Sequence, residues 1–407
     1  MRGERGFRSI GLRMPVHHIP SRPPRIAVVA CTGGAGHLRA GQALVETARS
    51  LDVPVEIEFW DVLSFTAPWF RRMYADTYLH MINRTPELWG YLYERTERHP
   101  HENSPLIRAF DRVNYDRYWR ALKHFQPDVL LCTHFLAYLS IAQRLRRWEM
   151  RPRVHAATTD FDVHRLWIHD VVDRYYVFHQ ESRWQLTSKG VDENRICVTG
   201  IPVHPPFTRR VAPESVRARL GLGERRTTIL VVAGGFGVGR VHEIASTVAS
   251  TLGRLQPRRY NLVVVCGRNE EALRRVRSAP PPPNVALHPV GFVDNMHDWM
   301  DAADLLVSKS GGLTSAEALA KGLPLVVIDP IPGQESRNAD LMVEQGAAWK
   351  AIDLSHLAYK LTHILTTPTV LAQHAPSGSL TPLKRSCAMS SSTPAAVKHV
   401  ARKPHLP

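Results

Sequence analysis

The run from Asp304 to Asn338 constrains this chain more than any other stretch. Asp304-Leu-Leu-Val307 has the pattern of an apolar strand, and Lys309-Ser-Gly-Gly312 follows it as a glycine turn. Thr314 opens a helical segment. A second apolar strand, Leu325-Val-Val-Ile328, then leads into a polar loop, Asp329-Pro-Ile-Pro-Gly-Gln334-Glu335-Ser-Arg-Asn338. A strand feeding a Gly-rich turn and a helix N-terminus builds an anion site, because free backbone N–H groups converge there with the positive end of the helix dipole. Ser310, Gly311, Gly312, Leu313 and Thr314 occupy that turn. One turn into the helix, Glu317 is placed to accept hydrogen bonds from a ribose diol, and Gln334, Glu335 and Asn338 suit sugar hydroxyls. Diphosphate, ribose and hexose sites in that order describe a nucleotide sugar. Each piece also has a plainer reading. Thr314-Ser-Ala-Glu317 spells a capping box, the glycine pair an ordinary turn, and Pro332-Gly-Gln-Glu335 a solvated loop.

Other apolar runs repeat the same alternation. Arg25–Ala30, Val55–Trp60, Asp128–Cys132 and Val154–Thr158 read as strands with helical patterns between them, hence βαβ units with a parallel sheet. Thr228–Ala233, Asn261–Val265, Val285–His288 and the two strands of the opening run form a second series. Between the series lies a stiff, proline-rich segment, Ile201–Phe207, which reads as a linker. The expected fold class is α/β, with two Rossmann-like halves facing a cleft. The expected divisions are a disordered basic arm (1–24), an acceptor and membrane domain (25–205), a nucleotide-sugar domain (206–365) and a low-complexity tail (366–407). The tail has no Asp or Glu, turns to Ser, Thr, Pro and Ala, and reads as disordered or as the product of a reading-frame change.

Charge decides among partners. With 52 Lys+Arg against 37 Asp+Glu the net charge is +15, a balance that favours a polyanionic surface. The five cysteines are widely spaced with no C-x-x-C pair, so neither a zinc site nor a disulfide framework is indicated. No apolar run reaches the ~18–20 residues of a spanning helix. Residues 64–99 mix aromatics with arginine, Trp69 and Phe70 among them, and suit a membrane interface with cations on anionic lipid. A core helix with a basic outer face explains the same segment. Nucleic acid is not expected, because no recognised motif accompanies the charge.

Two glycine loops follow strands, and neither fits a dinucleotide or P-loop pattern. In Gly34-Ala-Gly36-His-Leu-Arg39 an arginine stands at the third glycine position, and Gly235 and Gly237 lead to Gly239-Arg240 without a G-K-[ST]. Dehydrogenase and kinase readings therefore fail. His37 sits at the expected N-terminus of the first helix, where the dipole disfavours imidazolium. A neutral imidazole there can take a proton from a hydroxyl, or it can simply cap the helix. Thr159-Asp160-Phe-Asp162-Val-His164-Arg-Leu-Trp167 follows a strand end, so Asp160 and His164 are placed to contact an acceptor or to orient the base. No third ligand accompanies them, so no metal is expected.

At these residues the chain resembles the monogalactosyldiacylglycerol synthases and the bacterial processive diacylglycerol glucosyltransferases, of one superfamily with the peptidoglycan lipid-intermediate N-acetylglucosaminyltransferase. The resemblance covers about residues 25–365. It rests on Gly33-Gly-Ala-Gly-His37-Leu-Arg-Ala40, Thr159-Asp160 with His164 and Trp167, Val198-Thr-Gly-Ile-Pro-Val203, Gly234–Gly237, Gly291-Phe292, and Ser310–Glu317 through Pro332–Glu335. It implies a B-type glycosyltransferase fold acting with inversion and without a metal or other cofactor. UDP-galactose or UDP-glucose would be the donor and diacylglycerol the acceptor, on the anionic lipid of the cytoplasmic membrane face. By the same resemblance His37 is the base; Asp160 joins it as a catalytic candidate on the strand-end reading above. Gly311, Gly312, Leu313 and Thr314 hold the diphosphate, with Ser310, Gly235 and Gly237 nearby, and Glu317 binds ribose. Phe292 lies by the uracil, and Gln334 and Glu335, with Asn338, grip the hexose. Gly33, Gly34, Trp69, Phe70, His164 and Trp167 belong to the acceptor and membrane side. Two departures stand out: the family's C-terminal helices have no counterpart after Leu365, and Ala35 replaces a common glycine.

Overall fold

A computed structural model of the chain describes residues 22–32, 34–51, 54–74, 77, 85–98, 114–232, 240–367 and 369–370. Gly33, Gly235, Gly237 and nearly all of the expected arm and tail lie outside the described residues.

Two parallel sheets of six strands each organise the molecule. The first contains β1 (Arg25–Ala30), β2 (Glu56–Asp61), β3 (Val129–Cys132), β4 (Arg153–Ala157), β5 (Val172–Val177) and β6 (Ile196–Val198), in the order β2-β1-β3-β4-β5-β6. The second contains β7 (Thr227–Val232), β8 (Tyr260–Val265), β9 (Val285–Val290), β10 (Leu305–Ser308), β11 (Leu325–Val327) and β12 (Ala348–Lys350), in the order β12-β11-β10-β7-β8-β9. Central strands such as β1, β3 and β10 are buried nearly throughout. Helices cover both faces of such sheets, which is why these strands read as unbroken apolar runs. The helices that bear on the site are α1 (Ala35–Ser50), α2 (Pro86–Arg98), α3 (Val241–Gly253), α4 (Gly312–Lys321), α5 (Gln334–Glu344) and α6 (Leu354–Thr366). The last of these, α6, buries Leu357, Leu361, Ile364 and Leu365 in one cluster with Ile244, Val248 and Leu252 of α3.

Strand order reverses once in each sheet, between β1 and β3 and between β7 and β10. Loops leaving the carboxyl ends of adjacent strands diverge at such a reversal and open a crevice. His37 follows β1, Thr133 and His134 follow β3, and the Ser310–Thr314 turn follows β10. Both crevices face one cleft. The carbonyl of Thr159, just past β4, stands only 2.0 Å from where a Cβ on Gly312 would be. Only glycine permits that approach.

The presumed linker is not an exposed hinge. Ile201, Val203 and Phe207 are buried in the second sheet's core beside Leu230, Val232 and Leu306, and Phe161 and Phe178 of the first half join the same cluster. Apolar side chains between the prolines explain the difference, because the segment is stiff and also burial-competent. Polar contacts cross the cleft as well. Arg337 on α5 donates to Asp162 at 2.9 Å and to Glu94 on α2 at 2.8 Å.

Candidate active site

The N-cap of α1 is Gly34, which offers no side chain, and His37 lies in the helix's first turn. Its Nδ1 is 3.0 Å from the Thr133 carbonyl and 2.7 Å from the Thr159 hydroxyl. A carbonyl can only accept, so Nδ1 carries the proton and Nε2 keeps its lone pair. Among the described residues Nε2 has no hydrogen-bond partner. Desolvation by burial pushes the His37 pKa down to about 4, with the Thr133 carbonyl pulling weakly the other way. The ring is therefore neutral at pH 7, with burial rather than the expected helix dipole as the leading cause. Asp160 does not orient it. Thr133 and Thr159 do, whereas Asp160 is hydrogen-bonded to Gln334 and Asn338. Burial raises Asp160 to about 6 against those two donors. His134 packs edge-on to His37 with ring centroids 4.6 Å apart. Burial, then His37 itself, holds His134 well below the usual histidine range. Sequence reasoning missed His134, Thr133 and the role of Thr159. The available signal was that two of them directly follow the apolar run Asp128–Cys132, at a strand's carboxyl end.

Across the cleft, α4 begins at Gly312 behind an N-cap Gly311 that has no side chain. The helix starts two residues before the expected Thr314, so Glu317 lies beyond the first turn and the capping-box reading is set aside. The first N–H groups of a helix have no partner within it, and here no side chain caps them. Glu317 is 3% exposed. Its Oε1 accepts no hydrogen bond, and the nearest cation is Arg39 of α1, with Nη2 at 3.5 Å. Burial pushes the Glu317 carboxyl up to about 7, against the pull of Arg39. Glu317, Arg39, Thr314, Met296 and Phe292 line one pocket. Phe292 is half exposed there, under the Arg268 guanidinium at 4.9 Å.

The segment expected as a polar loop is a loop only as far as Gly333, at φ 87, and from Gln334 it is the first turn of α5. Asn338 is fully buried and committed. It accepts from the Phe161 N–H at 3.0 Å and donates to the Ser310 carbonyl at 3.1 Å, which ties the two halves together and takes it out of sugar binding. Ser310 Oγ donates to the Glu335 carbonyl at 2.6 Å, and the Glu335 carboxylate accepts from Ile331 N–H at 2.8 Å. Of the expected hexose group, Gln334 alone lines the large cavity that also holds His37.

That cavity, about 350 Å³, has a polar end of His37, His134, Asp160 and Gln334 and apolar walls that include Met73, Trp89, Leu92, Phe135 and Trp167. His164 also lines it, but both nitrogens are occupied: Nδ1 accepts from Leu166 N–H, and Nε2 donates to the Tyr93 carbonyl at 3.0 Å. It braces α2 rather than offering a free nitrogen to a ligand. The expected aromatic pair divides. Trp69 is 60% exposed, whereas Phe70 is 8% exposed and packs with Tyr115 in the core, so Phe70 cannot enter a lipid surface. Neighbouring side chains on a helical turn point to different sides, and charge pattern alone did not separate them.

The monogalactosyldiacylglycerol (MGDG) synthase family model matches residues 37–203. In its first half the chain is thus similar to the monogalactosyldiacylglycerol synthases, and along most of its length to curated diacylglycerol glycosyltransferases. The glycosyltransferase family 28 C-terminal domain model matches residues 228–384, past the Leu365 where the sequence resemblance had been drawn to a close. The chain is 27% identical over 351 residues to the processive diacylglycerol beta-glucosyltransferase of Bacillus cereus, covering 86% of this chain and 88% of that one. It is 28% identical over 345 residues to the chloroplastic monogalactosyldiacylglycerol synthase of Spinacia oleracea, covering 82% of this chain and 65% of the relative. Among solved structures, the glycotransferase of kitacinnamycin matches with a TM-score of 0.60 at 16% identity, over 94% of this chain and 100% of that one. The calicheamicin glycosyltransferase CalG4 matches with a TM-score of 0.58 at 15% identity, over 93% and 97%. These two likenesses establish the B-type glycosyltransferase fold.

Proposed function

We propose that the protein transfers galactose or glucose from a UDP-sugar to the hydroxyl of diacylglycerol at a membrane surface, with inversion at the anomeric carbon. The observation that carries this reading is the cleft itself. A neutral His37 with a free Nε2 lies at the polar end of an apolar cavity, across from an uncapped helix N-terminus and the buried carboxylate of Glu317, whose Oε1 accepts no hydrogen bond. The acceptor oxygen gives its proton to Nε2 and forms a bond to the anomeric carbon. The bond from that carbon to the diphosphate breaks, and UDP departs with the electron pair toward the N-terminus of α4. Glu317 accepts from the ribose hydroxyls, Phe292 stacks by the base, and Gln334 faces the hexose, while Glu335 holds the Ile331 N–H and shapes the loop beside it. The apolar walls favour a lipid over a polar acceptor, in keeping with the diacylglycerol named for the relatives.

Trp69, Met73, Leu88 and Tyr91 are large, exposed apolar side chains on the two segments that supply the cavity wall. No described helix is long and apolar enough to cross a membrane, and these residues with the basic excess favour peripheral contact with anionic lipid on the cytoplasmic face. The test is release of UDP from UDP-glucose and UDP-galactose with and without diacylglycerol vesicles. Release that depends on diacylglycerol, with glycolipid formed, is the expected result. Transfer to a soluble sugar at the same rate without lipid would remove the lipid acceptor from the reading.

A further inference from the structure

We propose that Arg39 is a donor-site residue supplied by the acceptor half: its guanidinium pairs with Glu317 and, when UDP binds, takes the charge of the diphosphate. The assignment rests on the nucleotide-sugar reading above and adds a residue to it. Arg39 stands at the position where a dinucleotide fold carries its third glycine, the one that lets helix and sheet pack closely. Here the side chain leaves its own half and crosses the cleft.

Geometry brings the two helices together end to end. A Cβ on Gly36 would lie 3.6 Å from the Cβ of Leu313, so the first turns of α1 and α4 face one another. One turn further along each helix, Arg39 meets Glu317 at 3.5 Å. That separation is longer than a charge-assisted hydrogen bond, and Glu317 Oε1 accepts none. Both side chains line one pocket with Thr314 from the turn that would carry the diphosphate. The buried carboxylate is thus held by a loose cation in a site that a ribose diol would satisfy better. Once two hydroxyls occupy Glu317, the guanidinium has lost its partner while a new anion lies beside the same helix ends. A planar fork of donors suits a phosphate bidentately. As the bond to the anomeric carbon breaks, negative charge grows on the departing β-phosphate, and a cation fixed on the acceptor half stabilises it only when the two halves are closed. Arg39 would then link donor binding to the assembly of His37 with the reacting carbon, since His37 and Arg39 share the first two turns of α1.

Calorimetric titration of the full chain with UDP, and separately with uridine, tests this in wild type, Arg39→Ala and Arg39→Lys at a pH above the Glu317 titration. Arg39→Ala is expected to weaken UDP about tenfold or more while leaving uridine within about twofold. Arg39→Lys should recover part of the loss, because it restores the charge but not the fork. Thermal unfolding checks that the variants fold, as a partly exposed side chain allows. Equal losses for UDP and uridine would mean that Arg39 acts only through Glu317, which overturns the assignment. Unchanged UDP affinity in Arg39→Ala overturns it outright. Wild-type protein that binds neither ligand would overturn the nucleotide reading and this assignment with it, an outcome distinct from failure in the variants alone.

Discussion

Replacing Glu317 with glutamine is expected to make the empty protein more stable at alkaline pH and a poorer binder of UDP. Burial raises the carboxyl from 4.5 to about 7 in the folded chain. The folded state therefore binds more protons than the unfolded state between those values. Its stability falls as pH rises through that window and the full cost is reached above about 7. At 1.36 kcal/mol per unit, the shift corresponds to about 3 kcal/mol. Glutamine keeps the shape without the charge. Losing the Arg39 pair subtracts little, since the pair is long and Arg39 is partly exposed. Urea unfolding of wild type and Glu317→Gln at about pH 4 and about pH 8 measures the effect. The variant should gain up to about 3 kcal/mol over wild type at the higher pH and almost nothing at the lower. UDP titration at the higher pH should show about tenfold weaker binding, because the amide can accept from only one of the two ribose hydroxyls. A stability gap that does not change with pH, or one of opposite sign, would refute the buried, weakly paired carboxylate. Wild-type UDP affinity in the variant would refute its role as ribose ligand.

His37→Ala should lower turnover by ~10²-fold or more while UDP affinity stays near wild type, read by steady-state UDP release beside calorimetry. Retention of more than about a tenth of the activity would move the base to another group. Gly312→Ala places a Cβ 2.0 Å from the Thr159 carbonyl, where ordinary contact begins near 3.4 Å. The halves must separate, so activity should fall sharply with a loss of about 1–3 kcal/mol in stability; a variant with normal turnover would mean that the close approach is dispensable. Trp69→Ala combined with Tyr91→Ala should weaken sedimentation with anionic vesicles without changing the melting temperature. Phe70→Ala should instead cost about 3–5 kcal/mol in stability. Equal binding of the wild-type protein to neutral and anionic vesicles would defeat the lipid-surface reading.

The alternating apolar runs announced two parallel sheets because a strand covered on both faces needs apolar residues throughout, and that requirement is local. The strand–glycine–helix order from Leu305 to Glu317 was equally legible, since an anion site at a helix N-terminus is made by consecutive residues. Which side chains meet across the chain was not legible. Asn338 resembled a sugar ligand, but its amide is spent joining Phe161 to Ser310. Asp160, just past a strand end, looked placed to orient His37, but the Thr133 carbonyl and the Thr159 hydroxyl hold the imidazole. Arg39 looked like a broken glycine motif until α1 and α4 were seen end to end. Local pattern determined the elements, the fold class and the glycine turn that opens α4. Strand order decided the site, because the reversals between β1 and β3 and between β7 and β10 choose which loops open into the cleft. Those pairings join residues far apart in the chain, and burial at their meeting sets the charge of His37 and Glu317. No window of sequence contains that information.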